Sequence, residues 1–168
     1  MKKLFFPLIA LLIVFQSCSS KKKAFDFNQK LAGISSSLNS KGVAIGTELR
    51  TAMASNDFSK VASMSADLDK YVDEQIAEVK KTENVAGSEK FKNAMLDFLG
   101  FEKDMVTTVI IPFGKLNANS TDEEKQAAID NFVTKSKDEQ SYLTRIQDEQ
   151  RDYAAKNGFK IEQKVPTY

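Results

Sequence analysis

The side chain with the most distinctive chemistry in this chain is a thiol, because the 168 residues contain a single cysteine, Cys18. It stands three residues past an apolar run, Leu4–Phe15, and lies between two small residues, Ser17 and Ser19. With no second cysteine, the chain forms no internal disulfide. A lone thiol directly after such a run favours covalent attachment of another group at Cys18.

Other reactive groups are sparse, since the chain has no histidine. This absence excludes Ser-His-Asp and Cys-His nucleophiles, and it excludes histidine-ligated haem and di-iron sites. Carboxylate chemistry, a Ser–Lys dyad and oxygen-only metal binding stay open, but no calcium-loop or Gly-rich phosphate-loop motif occurs. We therefore predict a protein that is not an enzyme, with no catalytic residue, no metal site and no cofactor.

The N-terminus has the layout of a secretory signal peptide. Met1-Lys2-Lys3 is positively charged, and the twelve-residue apolar run after it would span roughly 18 Å as a helix, against about 30 Å of bilayer hydrocarbon. Two other interpretations stay open. One is a secretory signal with a coincidental cysteine, and the other is an uncleaved short anchor flanked by the charges of Lys21-Lys22-Lys23.

The stretch Phe15-Gln16-Ser17-Cys18 resembles a bacterial lipobox. Ser17 and Cys18 fit, whereas the commonest form has leucine in place of Phe15 and a small residue in place of Gln16. The resemblance implies cleavage before Cys18, a diacylglyceryl thioether on its sulfur and acylation of the new amine, and such acyl chains hold a protein stably in a membrane. By the sorting rules of Gram-negative bacteria, Ser19 implies the outer membrane. We expect the periplasmic face, with the cell surface as the alternative.

Apolar side chains recur at helical spacing in four stripes, at residues 24–54, 58–79, 91–113 and 129–154. Short connections between them predict an all-α fold, an antiparallel up-down-up-down four-helix bundle, after a cleaved lipoprotein signal peptide. The predicted organisation along the chain is a signal peptide at 1–17, a lipidated tether at 18–24, the bundle at 25–158 and a tail at 159–168.

Several residues predict where helices end or break. A break in the first helix near Gly42 stays open; the pair Gly42 and Gly46 also matches a tight helix crossing within the chain or a dimer contact. The other signals are Ser88 as a cap, Pro112 as a kink or stop, the capping-box patterns that begin at Ser120 and Thr121, and a stop at Asn157-Gly158.

Polar residues interrupt two of the apolar stripes. Glu102 falls between Phe98 and Met105 on the third stripe, and Ser136 and Gln140 lie at a similar level on the fourth. We predict a buried polar layer of Glu102, Ser136 and Gln140, in which the carboxylate is hydrogen-bonded, paired or protonated. The layer would line a small-ligand cavity or fix helix register; the alternative is that Glu102 tilts out to water. Phe101 sits at the edge of its stripe, and for this phenylalanine the sequence leaves open whether the ring is buried or exposed.

The charge balance argues against a nucleic-acid partner. Without residues 1–17, which include two lysines, the chain carries 22 basic and 23 acidic side chains, and nucleic-acid binding calls for a clustered basic surface. The expected partners are the membrane, through the lipid anchor, and another protein of the cell envelope. The oligomeric state is left open.

Four short stretches resemble a group of small helical lipoproteins from spirochaetes and Bacteroidota, described as surface proteins of unknown function. They are FNQKL at 27–31, DFSKV at 57–61, FLGFEKDMV at 98–106 and ST-x-E at 120–123. The resemblance implies an envelope lipoprotein with a helical fold and supplies no catalytic residue. We expect a lipid-anchored structural or protein-interaction module; the alternative is a binding protein for a lipid or small hydrophobic ligand in the bundle core.

Overall fold

A computed structural model describes residues 13–161 of the chain, with side chains described from residue 19 onward. This part contains four helices and no strand: α1 (Ile13–Ser55), α2 (Ser59–Lys81), α3 (Glu89–Met105) and α4 (Asp122–Lys156). Helix α3 continues through a π-helical turn, Val106–Ile110, and a last α-helical turn, Ile111–Phe113. The predicted all-α class with four helices is confirmed for these residues. In this range, no helix combines the length and apolar character needed to cross a bilayer.

The N-terminal predictions fall mostly outside the described residues. Residues 1–12 of the predicted signal peptide and the side chain of Cys18 lie beyond them, as does most of the tail. Where the lipidated tether was expected, Ser19–Lys23 are helical and exposed, and Ala24 is fully buried. Among the described side chains, the core therefore begins at Ala24, one residue before the predicted start of the bundle.

Helix α1 is continuous through both of its central glycines, so the break near Gly42 that the sequence left open does not occur. The predicted stripe explains this, because Leu38, Ile45 and Leu49 are all buried on either side of the glycines. Packing of that stripe outweighs the roughly 1 kcal/mol that a glycine costs a helix. A Cβ built on Gly42 or Gly46 would have no described atom within 4 Å, so the tight crossing is wrong as well.

The helix ends follow local chemistry, with one exception. Thr121 and Glu124 form the predicted capping box at the start of α4, with Glu124 N–H donating to Thr121 Oγ1 (3.1 Å) and Thr121 N–H to the Glu124 carboxylate (2.8 Å). Gly158 adopts a left-handed φ of 67° after α4, as a helix stop requires. Ser88 precedes α3 but does not cap it. Its hydroxyl accepts from Val85 N–H (2.9 Å) and closes the preceding loop instead.

Pro112 lies in the last turn of the third helical segment, which ends one residue later at Phe113. Proline has no N–H to donate to the carbonyl four residues earlier, that of Thr108. Asn131 Nδ2 of α4 donates to this carbonyl instead, at 3.3 Å. The proline thus shapes the end of the segment, and a side chain of α4 provides a donor to the carbonyl that it leaves free.

Two clusters of contacts mark opposite ends of the helices. At the aromatic end, the rings of Phe27, Phe91 and Tyr153 lie 5.8–6.2 Å apart and join α1, α3 and α4. At the other end, the rings of Phe58 and Phe113 lie 6.1 Å apart and join α2 to the end of the third helical segment. Gly114 packs closely against α2 at this end. A Cβ built on Gly114 would lie 2.8 Å from Ala62 Cα, too close for any other residue type without a backbone shift.

Phe101 is buried, at 8% exposed, which settles the question that the sequence left open for this ring. Its ring stacks on Tyr142 of α4, with ring centroids 4.6 Å apart. The position lies at the edge of the α3 stripe, and a large ring on the neighbouring helix covers it.

Candidate ligand-binding cavity

A cavity of about 260 Å³ lies midway along the helices. All four helices contribute to its wall, which is mostly apolar: Leu38, Leu68, Phe98, Met105, Phe132 and Leu143. Asn39, Gly42 and Val43 of α1 also line it and are exposed, so the cavity opens to solvent along this helix.

Two of the three predicted polar-layer residues lie together in this cavity. Glu102 and Ser136 both line it. Gln140 does not: it is exposed, and its amide donates to Thr144 Oγ1 at 3.3 Å. Glu139, one residue earlier on α4, lines the cavity in its place. The second acid of the cavity, Glu139, is therefore one that the sequence prediction missed.

The sequence did carry a signal for Glu139. Phe132, Ser136, Glu139 and Leu143 follow one another in steps of four, three and four, which is the spacing of a single helix face. Gln140 lies about 100° further round the helix and falls off that face.

The electrostatics of the cavity are set by two acids in an apolar setting. Burial, first, and the negative charge of Glu139, second, together raise the pKa of Glu102 to about 8. Burial also raises the pKa of Glu139. Loss of hydration penalises the charged form of a carboxyl group, and a second like charge adds to the penalty. At neutral pH, Glu102 is therefore mainly protonated.

Neither glutamate has a hydrogen-bond or ion-pair partner among the described residues. Lysines on the same two helices pair with other carboxylates: Lys103 Nζ lies 2.8 Å from Asp69 and 2.7 Å from Asp73, and Lys135 pairs with Asp104. The cations near the cavity are thus engaged outside it, and the two acids inside it are left without a positive partner.

A third polar group in the cavity wall is also unsatisfied. The hydroxyl of Ser35 is buried and has no hydrogen-bond partner within the described part of the chain. A buried polar atom without a partner costs about 1–3 kcal/mol. The cavity therefore combines apolar surface with two acids and a hydroxyl that no described residue satisfies.

Metal binding has little support from this arrangement. Across the described residues, no group of three or more acidic, cysteine or histidine side chains converges as metal ligands would. Comparisons of the chain with known protein families, with curated proteins and with solved structures each gave no match.

Proposed function

We propose that the protein is a lipid-anchored, non-catalytic module of the bacterial cell envelope that acts as a structural or protein-interaction element. The observation that carries this proposal is the order of features at the N-terminus. An apolar run ends just before the single cysteine, Cys18; the next five residues are exposed; and the buried core begins at Ala24. A lipid on Cys18 would thus be joined to the bundle by a short exposed segment.

The position of the anchor also fits the charge of that segment. Lys21, Lys22 and Lys23 are exposed, and next to a membrane they would lie at the level of the lipid headgroups. Basic residues there add roughly 1 kcal/mol each of attraction to anionic lipid. The outer membrane is the proposed location because Ser19 follows the cysteine, and the periplasmic face is proposed because no acidic run follows Cys18. The proposed relationship to small helical envelope lipoproteins is based on the four short stretches of similar sequence at 27–31, 57–61, 98–106 and 120–123.

We infer that the four helices run up, down, up and down. Contacts at both ends support this inference. Phe27, about a third of the way along α1, and Phe91, near the start of α3, meet Tyr153 near the end of α4. At the opposite end, Asn56, just after α1, accepts a hydrogen bond from Lys125 near the start of α4 (2.7 Å).

The cavity does not favour the alternative of a lipid carrier. Pockets for drug-sized ligands hold about 300–1,000 Å³, and this one holds about 260 Å³. Its two acids would also be costly to leave against a long hydrocarbon chain. The interaction module is therefore the function we propose.

The anchor is tested by expressing the full chain in a Gram-negative bacterium fed an alkyne-labelled fatty acid. We expect label on the protein, membrane fractionation, and a mature N-terminus at Cys18 carrying a diacylglyceryl thioether by mass spectrometry. Cys18→Ala should lose label and cleavage together, whereas Ser20→Ala, two residues on, should keep both. A bare thiol at Cys18, or an intact leader on the native protein, would refute the anchor.

The interaction role is tested separately by crosslinking the labelled protein in intact cells. We expect a specific envelope protein to crosslink to the anchored chain, with a loss of at least tenfold in Cys18→Ala because the variant is no longer concentrated at the membrane. Equal yields from both forms would place the interaction away from the membrane and contradict a module that works through its anchor.

A further inference from the structure

The cavity supplies acceptors and apolar surface and no cation. Among the residues that line it, only Glu102 and Glu139 are titratable, and both are acids. Each ionised carboxylate offers acceptor sites only, and neither receives a donor from the described part of the protein. A ligand that complements this wall carries several donors, a positive charge and a hydrocarbon part.

We propose that the cavity binds a small organic cation, a primary alkylammonium, with its charged group between Glu102 and Glu139 and its hydrocarbon part against Phe98 and Phe132. This site does not depend on the lipid anchor or on an envelope partner, and it goes beyond the function proposed above.

The size of the cavity sets the size of the ligand. An apolar cavity of about 150 Å³ accommodates a molecule as large as benzene. The volume here, about 260 Å³, therefore suits a ligand of roughly six to ten non-hydrogen atoms. The exposed stretch of α1 at Gly42 provides the opening, since that residue has no side chain and no described atom lies within 4 Å of where a Cβ would stand.

An ammonium group matches the polar wall. It has three donors, enough for the two glutamates and the unpartnered hydroxyl of Ser35. Phe98 and Phe132 also line the cavity, and an aromatic face attracts a cation within about 6 Å. A neutral ligand would leave Glu102 protonated and gain no ion pair with either acid, and an anionic ligand would be repelled by whichever acid is ionised.

A metal ion matches the wall less well. Calcium takes six to eight oxygen ligands and magnesium six in near-octahedral geometry. Most of this wall is hydrocarbon, and the residues with oxygen atoms that line it are Ser35, Asn39, Glu102, Ser136 and Glu139. An alkylammonium uses the hydrocarbon surface as well as the carboxylates, and a bare metal ion does not.

Binding of an alkylammonium should depend on pH in a diagnostic way. The pKa of Glu102 is raised to about 8 by burial and by Glu139, so a cation that needs the ionised form displaces a proton at neutral pH. Affinity should then rise about tenfold per pH unit from pH 6 towards pH 8, and it should fall again near pH 10–11, where an alkylamine loses its own proton. The titratable lining groups that respond are Glu102 and Glu139 alone.

The test uses calorimetric titration of the full chain in a nonionic detergent with n-hexylamine, and with hexan-1-ol and hexanoate as neutral and anionic probes of equal chain length. We expect hexylamine at pH 8 to bind at least tenfold more tightly than hexanol, with proton release, and hexanoate not to bind. Equal affinity for hexanol and hexylamine, or no binding of hexylamine, would overturn the proposal. Displacement of hexylamine by calcium chloride at equal ionic strength would overturn it in favour of a metal site.

Four variants separate the site from simple partition into micelles. Glu102→Gln and Glu139→Gln should each lower hexylamine affinity at least tenfold while hexanol binding stays the same, and Glu83→Gln, an exposed acid in the α2–α3 loop, should change neither. Ser136→Leu fills the cavity and should abolish binding of both probes. Circular dichroism shows which variants fold, and because either glutamine variant suffices, failure of one leaves the other as the test. Hexylamine affinity that survives in a folded glutamine variant would overturn the proposal.

Discussion

Polar groups at the aromatic end of the bundle have protein partners, whereas the acids of the mid-bundle cavity have none within the part of the chain that the structure describes. At the aromatic end, Tyr153 OH donates to the Val85 carbonyl (2.9 Å), and Gln150 Nε2 donates to Asn28 Oδ1 (2.9 Å). In the cavity, Glu102 and Glu139 have no such partner among the described residues. Both regions belong to the same four helices, so the difference comes from individual side chains.

The two regions consequently respond to different conditions. Burial and the nearby charge of Glu89 raise the pKa of Tyr153 to about 12, so its phenol remains a hydrogen-bond donor throughout the physiological range. The pKa of Glu102, at about 8, lies close to that range. The aromatic end should therefore hold the bundle together at any ordinary pH, and the cavity is where protons and ligands act on it.

The largest expected effect comes from removing a ring at the aromatic end. Phe91 is 1% exposed and contacts both Phe27 and Tyr153. Phe91→Ala should lower the free energy of unfolding by about 3–5 kcal/mol, because a buried phenylalanine loses its transfer free energy and leaves a void. Urea unfolding followed by circular dichroism measures the loss.

The matched control is Phe98→Ala, since Phe98 is equally buried but already borders the cavity. A ring that faces empty space has fewer contacts to lose. Phe98→Ala should therefore lower the free energy of unfolding by about 3 kcal/mol, the lower end of that range. A greater loss at Phe98 than at Phe91 would contradict the comparison between the two regions.

The second effect is a fall in stability with rising pH, caused by Glu102. Its pKa is about 8 in the folded chain against 4.5 as the ordinary value, so the unfolded chain releases this proton first. The free energy of unfolding is therefore unaffected by this group below pH 4.5. Between pH 4.5 and pH 8 it falls by up to about 1.4 kcal/mol per pH unit. Between pH 6 and pH 7.5 we expect a loss of about 2 kcal/mol in urea unfolding.

Glu102→Gln tests the origin of that loss, because glutamine has a similar shape and does not ionise. The variant should flatten the stability profile between pH 6 and pH 7.5, leaving the smaller contribution of Glu139. Glu83→Gln, which is exposed in a loop, should keep the full slope. A slope of wild-type size in Glu102→Gln would assign the pH dependence to other groups.

Much of this architecture follows from spacing in the sequence. The stripe of α1 is buried where the periodicity predicts, at Phe27, Leu31, Ile34 and Leu38, because a 3.6-residue repeat fixes which side chains share a face. The cap at Thr121 was equally predictable, because a capping box is a local pattern.

The remaining features depend on contacts between helices. The continuity of α1 through Gly42 depends on tertiary packing, which overrides local propensity. Phe101 is covered only because Tyr142 lies opposite on another helix. Glu139, and not Gln140, lines the cavity, because neighbouring residues of a helix point about 100° apart and the prediction was wrong by one residue. The apolar periodicity of a single helix does not show which side chains of two helices meet.

The third effect compares two serines, one from each region. Ser88 is fully buried and accepts a hydrogen bond from Val85 N–H (2.9 Å). Ser88→Ala should cost about 1–2 kcal/mol, because it leaves this donor without a partner. Ser136 lines the cavity and has no partner among the described residues, so Ser136→Ala should change stability by less than about 0.5 kcal/mol. Thermal unfolding of both variants measures the difference, and equal losses would contradict it.

The smallest effect concerns an ion pair on the surface, where the charges have partners but also have water. Arg145 and Asp97 join α4 to α3 at 2.6 Å, and both side chains are about half exposed. A double-mutant cycle with Asp97→Asn and Arg145→Gln should give a coupling of about 0.5 kcal/mol that declines in high salt. The carboxyl group of Asp97 contributes little to stability because water hydrates its charge at the surface. The carboxyl group of Glu102 has a strong effect because this hydration is missing in the cavity. A salt-independent coupling above about 2 kcal/mol would show that pairing, rather than hydration, separates the two kinds of site.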